Sequence, residues 1–226
     1  MTEDRHPLPA PKPSVVVLAS GGVDSAVLLA RAQRDGTLAG ICLFDYGHPA
    51  FLFEHLALQS QIRHLGITAP LHEVPLAIHA FAMRTPSGQR GPRVVPHRNL
   101  IMLAHALNWA VALGADEVQY GAIHDDRHNY ADCRPTFWLN LNHALIAFDT
   151  KTMQGESGPR VAAPLSATAK AHVVREAHAF GILPLCWSCY APTAGGKPCG
   201  GCDSCVSRTD AEQMEALKPL EDDDGR

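Results

Sequence analysis

The sequence predicts an α/β fold, a parallel sheet with helices on both faces, followed by a C-terminal four-cysteine zinc-binding subdomain. Three observations carry that expectation. Short β-branched apolar runs alternate with segments whose apolar residues recur at helical spacing, the pattern of strands buried on both faces between covering helices. A glycine pair stands directly between the first such run and the first helical segment, where the backbone must turn tightly. Four of the seven cysteines crowd into residues 189–205, a density that suits a shared metal ion better than a disulfide framework.

Taken in order, residues 1–13 hold four prolines and no hydrophobic period, so a flexible lead-in is expected there. Residues 14–19 read as the first strand, and Ala26, Leu28, Leu29 and Ala32 mark the first helix. The pair repeats as a strand over 38–44 and a helix over 51–65, and residues 71–74 form a weaker third strand. Residues 84–96 carry three prolines, two glycines and three arginines, which predicts a mobile basic loop longer than an ordinary connection. Helices are expected over 99–113, 135–146 and 167–180, with a strand over 117–120. The chain then divides into a lead-in (1–13), one α/β domain (14–185), a zinc-binding segment (186–210) and a partly disordered tail (211–226) that carries an acidic run at 221–224.

Composition narrows the function. With 46% apolar residues the chain closes one good core. A formal charge of −4 argues against direct nucleic-acid binding, which needs dense Lys/Arg patches. No apolar run approaches the ~20 residues of a membrane helix, and the first residues lack the apolar block of a signal peptide. A cytoplasmic enzyme with a small-molecule substrate and no membrane partner is expected.

The sharpest motif is Ser20, Gly21, Gly22, Val23, Asp24 and Ser25, between the first strand and the first helix. Glycines let the backbone approach a ligand closely, and a helix start offers unpaired N–H groups and a positive dipole end. Ser20 and Ser25 add hydroxyl donors. Together these form a cradle for a pyrophosphate-sized anion. The Gly-Lys-Ser/Thr of the common mononucleotide loop is missing. An ordinary turn capped by Asp24 or Ser25 would use the same letters.

Cys189, Cys199, Cys202 and Cys205 are spaced as C-x9-C-x2-C-x2-C in a glycine-rich segment. Four thiolates close a tetrahedral Zn2+ shell, and two-residue spacers let neighbours share one ion. An iron–sulfur cluster takes the same ligands and a redox pair the same spacer. Structural zinc is favoured, because the ferredoxin-type cysteine-proline feature is missing and a redox pair leaves two cysteines unexplained. Cys186 is the spare, expected in the core.

The loop resembles the signature of the ATP-pyrophosphatase (PP-loop) superfamily, and the whole of 14–208 is similar to the 7-cyano-7-deazaguanine synthases, the QueC-like family. The matching pieces run in order: the loop at 20–25, FDYG at 44–47, Pro96, Arg98 and Asn99, LGAD at 113–116, Tyr130 with the DCRP of 132–135, PL at 164–165, Lys170, SCY at 188–190 and CGGCDSC at 199–205. The resemblance implies a Rossmann-like, adenine nucleotide alpha hydrolase-like fold and a homodimer. It also implies a ligase that uses ATP and Mg2+ to adenylate the carboxylate of a deazaguanine, releasing pyrophosphate, with ammonia displacing AMP on the way to the nitrile. Residues 20–25 with Arg98 and Asn99 would hold ATP, and Asp24, Arg98 and Lys170 would serve the chemistry. Tyr130, Asp132, Cys133 and Arg134 would face the deazaguanine.

Three departures accompany the match. His48-Pro49-Ala50 stands where the family usually has Gln-Arg-His, His97 where it usually has glycine, and Thr209-Asp210-Ala211 where it usually continues Gly-Phe. They suggest a paralogue that passes the activated acyl group to an amine of a protein or other partner. A non-catalytic nucleotide or deazapurine sensor is the reading from another class. A tRNA sulfur-insertion enzyme would need a basic RNA surface that the charge balance does not provide.

Overall fold

The computed structural model describes residues 12–78, 81–84, 90–148 and 157–216. Most of the expected lead-in and the acidic run at 221–224 therefore lie outside the described residues. The elements are β1 (Val15–Leu18), α1 (Val23–Arg34), β2 (Leu38–Asp45), α2 (Phe51–His64), β3 (Leu71–Pro75), β4 (Phe81–Arg84), β5 (Arg90–Val94), α3 (Arg98–Leu113), β6 (Glu117–Gln119), α4 (Pro135–Phe148), β7 (Arg160–Ala162), α5 (Lys170–Ala179) and α6 (Asp203–Ala216).

Five strands form one parallel sheet in the order β3-β2-β1-β6-β7. The chain leaves the sheet at β3 on one side and returns at β6 on the other, so the strand order reverses between β1 and β6. In open α/β sheets such a switch point leaves a crevice at the C-terminal strand ends, where ligands bind. The strands alternate between two cores as their pleat requires. Val15, Val17, Ile41 and Leu43 face a cluster with Leu28, Leu29, Leu58, Val173 and Ile182. Val16, Cys42 and Phe44 face the other, with Leu103, Ala106, Val118 and Trp138. An Arg31 to Glu176 pair, with Nε to Oε1 at 2.6 Å and Nη2 to Oε2 at 2.5 Å, ties α1 to α5.

Three expectations change. The basic loop over 84–96 is partly ordered as an antiparallel hairpin, with Phe81 paired to Val94 and Ala82 to Arg93, although 85–89 lie outside the described residues. A Pro/Gly-rich stretch between two short strand-capable runs has the composition of a hairpin turn as well as of a loop. β7, Arg160–Ala162, is a strand that the sequence reading did not include. The helix α6 continues to Ala216, past the expected start of the tail at 211, because Ala211 is buried against the first core.

Candidate nucleotide site and four-cysteine centre

The residues from Ala19 to Gly22 make the bend between β1 and α1. Gly22 is the N-cap of α1 and no side chain caps the helix, so neither Asp24 nor Ser25 acts as a cap, and the first-turn N–H groups stay open to a ligand. Ser25 is buried. Its hydroxyl donates to the Gly22 carbonyl at 3.1 Å and accepts the Ser20 N–H at 3.2 Å. That corrects the expectation of a free Ser25 donor, since its proton is spent on folding the loop onto itself.

Gly21 has φ +73°, and a Cβ there would lie 2.3 Å from the Glu54 carbonyl oxygen of α2. Both backbone conformation and space demand glycine. The Gly21 carbonyl accepts the Trp187 N–H at 2.9 Å and the Gln61 side-chain amide at 2.8 Å. Gln61 is fully buried and also approaches the Leu185 carbonyl at 3.3 Å. Two donors, one from α2 and one from the 185–187 segment, thus hold the bend in one shape. Gly121, just after β6, approaches less closely: a Cβ there would lie 3.1 Å from Asp24 Cβ.

The loop opens into a cavity of about 250 Å³ at the switch point. Ser20, Gly22, Asp24 and Ser25 line one side, Arg98 and Asn99 from the start of α3 another, and Tyr130, Asp132 and Cys133 a third. The structure thus brings together most of the residues expected from sequence. Arg134 is not among them: it is exposed and its Nε donates to the Arg127 carbonyl at 2.9 Å. Lys170 does not line the cavity either. Its ammonium donates to both carboxylate oxygens of Asp24 at 2.7 and 2.8 Å, a largely buried pair that places Lys170 behind Asp24. The His124 and Asp125 side chains pair at 3.2 Å, exposed to solvent.

Sequence reading missed Glu54, Asp126, Tyr46, Tyr120 and Tyr190 as lining residues. Tyr46 and Tyr190 fall in the FDYG and SCY matches and were legible there. Glu54 and Asp126 sit in no pattern. Arg98 donates to the Tyr46 hydroxyl at 3.1 Å and lies 5.7 Å from the centre of its ring. Burial pushes the Glu54 carboxyl up to about 7, although the Arg98 charge pulls the other way. Burial, with Asp24 nearby, pushes Asp126 up to about 6. Burial, with Asp126 and Asp132 adding to it, pushes the Cys133 thiol up to about 12, so it remains protonated near neutral pH. His48, of the departing His48-Pro49-Ala50 segment, has its ring 5.6 Å from Tyr46 and 5.9 Å from Tyr190, at the edge of the same cavity.

In the second centre the four Sγ atoms of Cys189, Cys199, Cys202 and Cys205 all lie within 4.8 Å of one another. A tetrahedral zinc with Zn–S near 2.3 Å sets sulfurs roughly 3.8 Å apart, so the donor set fits that ion. The Cys199 N–H donates to Cys189 Sγ at 3.2 Å, the kind of bond that steadies a thiolate ligand. Backbone N–H groups of Gly201 and Cys202 hold the Cys199 thiol below its usual value. Cys186 is not in the group. It is buried, and its S–H donates to the Ile182 carbonyl at 3.3 Å. Trp187 joins the two centres: its indole donates to the Cys189 carbonyl at 2.8 Å and stacks on Phe53 with centres 4.5 Å apart.

The family model described as queuosine biosynthesis protein QueC matches residues 14–215. The chain belongs to the QueC family. Relatives named 7-cyano-7-deazaguanine synthase include one from Methylococcus capsulatus, 36% identical over 219 residues covering 92% of this chain and 97% of the relative. Another, from Pelobacter propionicus, is 33% identical over 210 residues covering 85% and 90%. Among solved structures, NMN synthetase from Francisella tularensis matches with a TM-score of 0.50 at 14% identity, covering 93% of this chain and 80% of that one. A 4-thiouridine synthetase in an RNA complex with bound ATP matches with a TM-score of 0.50 at 18% identity, covering 90% and 50%. At such identities the likeness shows the fold. The QueC-type sheet, with its loop at the switch point and its cysteine cluster beside the loop, is the arrangement built above from the residues. No helix among the described residues of this QueC-family chain is long and apolar enough to cross a membrane.

Proposed function

We propose that this chain is an ATP-dependent carbon–nitrogen ligase that adenylates the carboxylate of 7-carboxy-7-deazaguanine, releases pyrophosphate, and passes the acyl group to ammonia. The amide is then activated again to give 7-cyano-7-deazaguanine. One observation carries the reading: the glycine bend and helix start open into the same cavity as Arg98, Tyr130 and Asp132. A triphosphate on the bend and a purine-like base on the far wall would meet at the α-phosphate. The Asp132 carboxylate suits a guanine-like N–H edge, and Tyr120 and Tyr130 offer ring faces.

Asp24 and Asp126 crowd two carboxylates onto the phosphate side, a donor set that fits Mg2+ alongside phosphate oxygens. That ion would neutralise charge on the leaving pyrophosphate. The chain's own residues do the rest. Loop N–H groups receive the phosphates, Lys170 holds Asp24 in place, and Arg98, braced by Tyr46, faces the nucleotide with Asn99. Cys189, Cys199, Cys202 and Cys205 would hold zinc as a structural ion. The Trp187 bond to Gly21 carries that order to the loop.

The test is incubation of the pure protein with ATP, 7-carboxy-7-deazaguanine and ammonium, following AMP, pyrophosphate and the deazapurine mass. Equal AMP and pyrophosphate with a growing nitrile is expected; ATP binding with no pyrophosphate release sinks the reading and favours a sensor. His48 beside Tyr46 and Tyr190 supports a second reading, because the segment that departs from the family lies at the cavity edge. There the acceptor is an amine of a protein or other partner. Pyrophosphate release without amide or nitrile, together with a deazaguanine mass on a co-expressed protein, would select it.

A further inference from the structure

We propose that the Glu54 carboxylate accepts the proton from the amine nitrogen that displaces AMP. This rests on the adenylate reading above and goes beyond it, because that reading assigns no base. An amine that attacks the acyl carbon of an adenylate forms the C–N bond and becomes cationic at nitrogen. Unless that nitrogen loses a proton, it is a better leaving group than AMP and the attack reverses. With a base in reach, the N–H electron pair stays on nitrogen, the proton moves to the carboxylate, and the acyl C–O bond to AMP breaks with its electron pair.

The cavity's other carboxylates and thiol are committed elsewhere, Asp132 to the guanine-like edge in the reading above. Asp24 is held by the Lys170 ammonium, and Asp126 faces Asp24 and Lys170 on the phosphate side. The Cys133 thiol and the phenols of Tyr120 and Tyr190 are pushed further from neutrality by burial. Glu54 differs in place and in proton affinity. It sits in the first turn of α2, whose backbone lies against Gly21, so its side chain lines the cavity beside the bend that would hold the triphosphate. Only 14% of that side chain is exposed. The charged and titratable groups around it are Arg98 from α3, Tyr46 and His48 from the segment between β2 and α2, and Tyr190 from the zinc segment, which meets the His48 ring. His48 Nδ1 lies 3.8 Å from Glu54 Oε1 and accepts the Ala50 N–H at 3.3 Å. Burial holds Glu54 at about 7, where a general base is most effective at neutral pH.

The experiment separates the two half-reactions. Exchange of labelled pyrophosphate into ATP in the presence of 7-carboxy-7-deazaguanine reads adenylation, and amide formation at a fixed concentration of free ammonia reads capture. For Glu54→Gln the expected result is exchange within about threefold of wild type and capture reduced by about 100-fold or more. The wild-type capture rate should rise through about pH 7 and lose that limb in the variant. Hydroxylamine, a stronger nucleophile, should restore most of the capture. Glu54→Asp, which keeps the carboxylate one methylene back, should fall between and serves if the glutamine variant does not fold. Wild-type capture in Glu54→Gln, or equal loss of exchange and capture in the folded variants, overturns the proposal. Absence of exchange in the wild type sinks the adenylate reading, and this inference with it.

Discussion

The sheet and the cysteine segment hold the same loop by different means. Around β1 and α1 the chain is packed on both faces: Val16, Val17, Ala26, Leu28 and Leu29 have no exposed surface. Between Trp187 and Cys205 most residues are exposed or half-buried, Cys199 lies at the surface, and little apolar area is removed from water. One region is ordered by burial; the other buries little, and its four clustered sulfurs offer a metal ion that would order it, because a segment this short cannot bury enough to offset its own conformational entropy. Gly21 is where they meet, its carbonyl shared between the amide of Gln61 in the packed half and Trp187 in the sulfur-held half. A loop that must present its N–H groups in one geometry thus depends on both.

Metal removal should give the largest effect. Chelation, or Cys202→Ser, is expected to release zinc and abolish pyrophosphate exchange while the helical circular dichroism of the packed half persists; metal analysis alongside the exchange assay checks it. If exchange survives in the metal-free protein, the coupling through Trp187 is wrong. Next comes Gly21→Ala. The added Cβ meets a backbone oxygen at 2.3 Å in a left-handed conformation, so a loss of about 3 kcal/mol or more in stability is expected, with a raised KM for ATP. Denaturant melts and ATP titration read both.

A smaller effect comes from pH. Glu54 is raised from 4.5 to about 7 and Asp126 from 3.8 to about 6 in the folded protein. Between about pH 4 and 7 the folded state therefore holds protons that the unfolded state has released. Their contribution is fully present below the unfolded values and is lost as pH rises through the folded ones. For Glu54 this is about 3 kcal/mol at most. Melting curves from pH 4.5 to 8 should fall across that window, less steeply in Glu54→Gln, and identical slopes would contradict the burial assigned here. The smallest effect is expected at His97, whose φ of +57° puts a side chain in the left-handed region. Relief of about 1–2 kcal/mol of strain by His97→Gly exceeds the roughly 0.5–1 kcal/mol that glycine costs through the unfolded chain. A rise in stability of about 0.5–1 kcal/mol should result.

How much of this was legible beforehand differs by region. The alternation that predicts a covered parallel sheet was plain, because β1 and β2 are buried on both faces and so read as continuous apolar runs. β7 was not, and the hairpin of β4 and β5 was hidden by the prolines and glycines that form its surroundings. Among candidate site residues, the loop and the four cysteines were legible because each is a pattern of near neighbours in the chain. Arg134 was grouped with Tyr130, Asp132 and Cys133 by adjacency alone, and its side chain turns outward to the Arg127 carbonyl.

By itself the sequence determined the glycine bend after the first strand and the ligand spacing of the cysteine cluster, since a turn and a tetrahedral shell are set by a few consecutive residues. Only the tertiary structure decided that Glu54, Gln61, Asp126 and Trp187 converge on that bend. Glu54 and Gln61 share α2, so the four come from three separate segments, brought together where the strand order reverses, and no local periodicity records a meeting between residues so far apart in the chain.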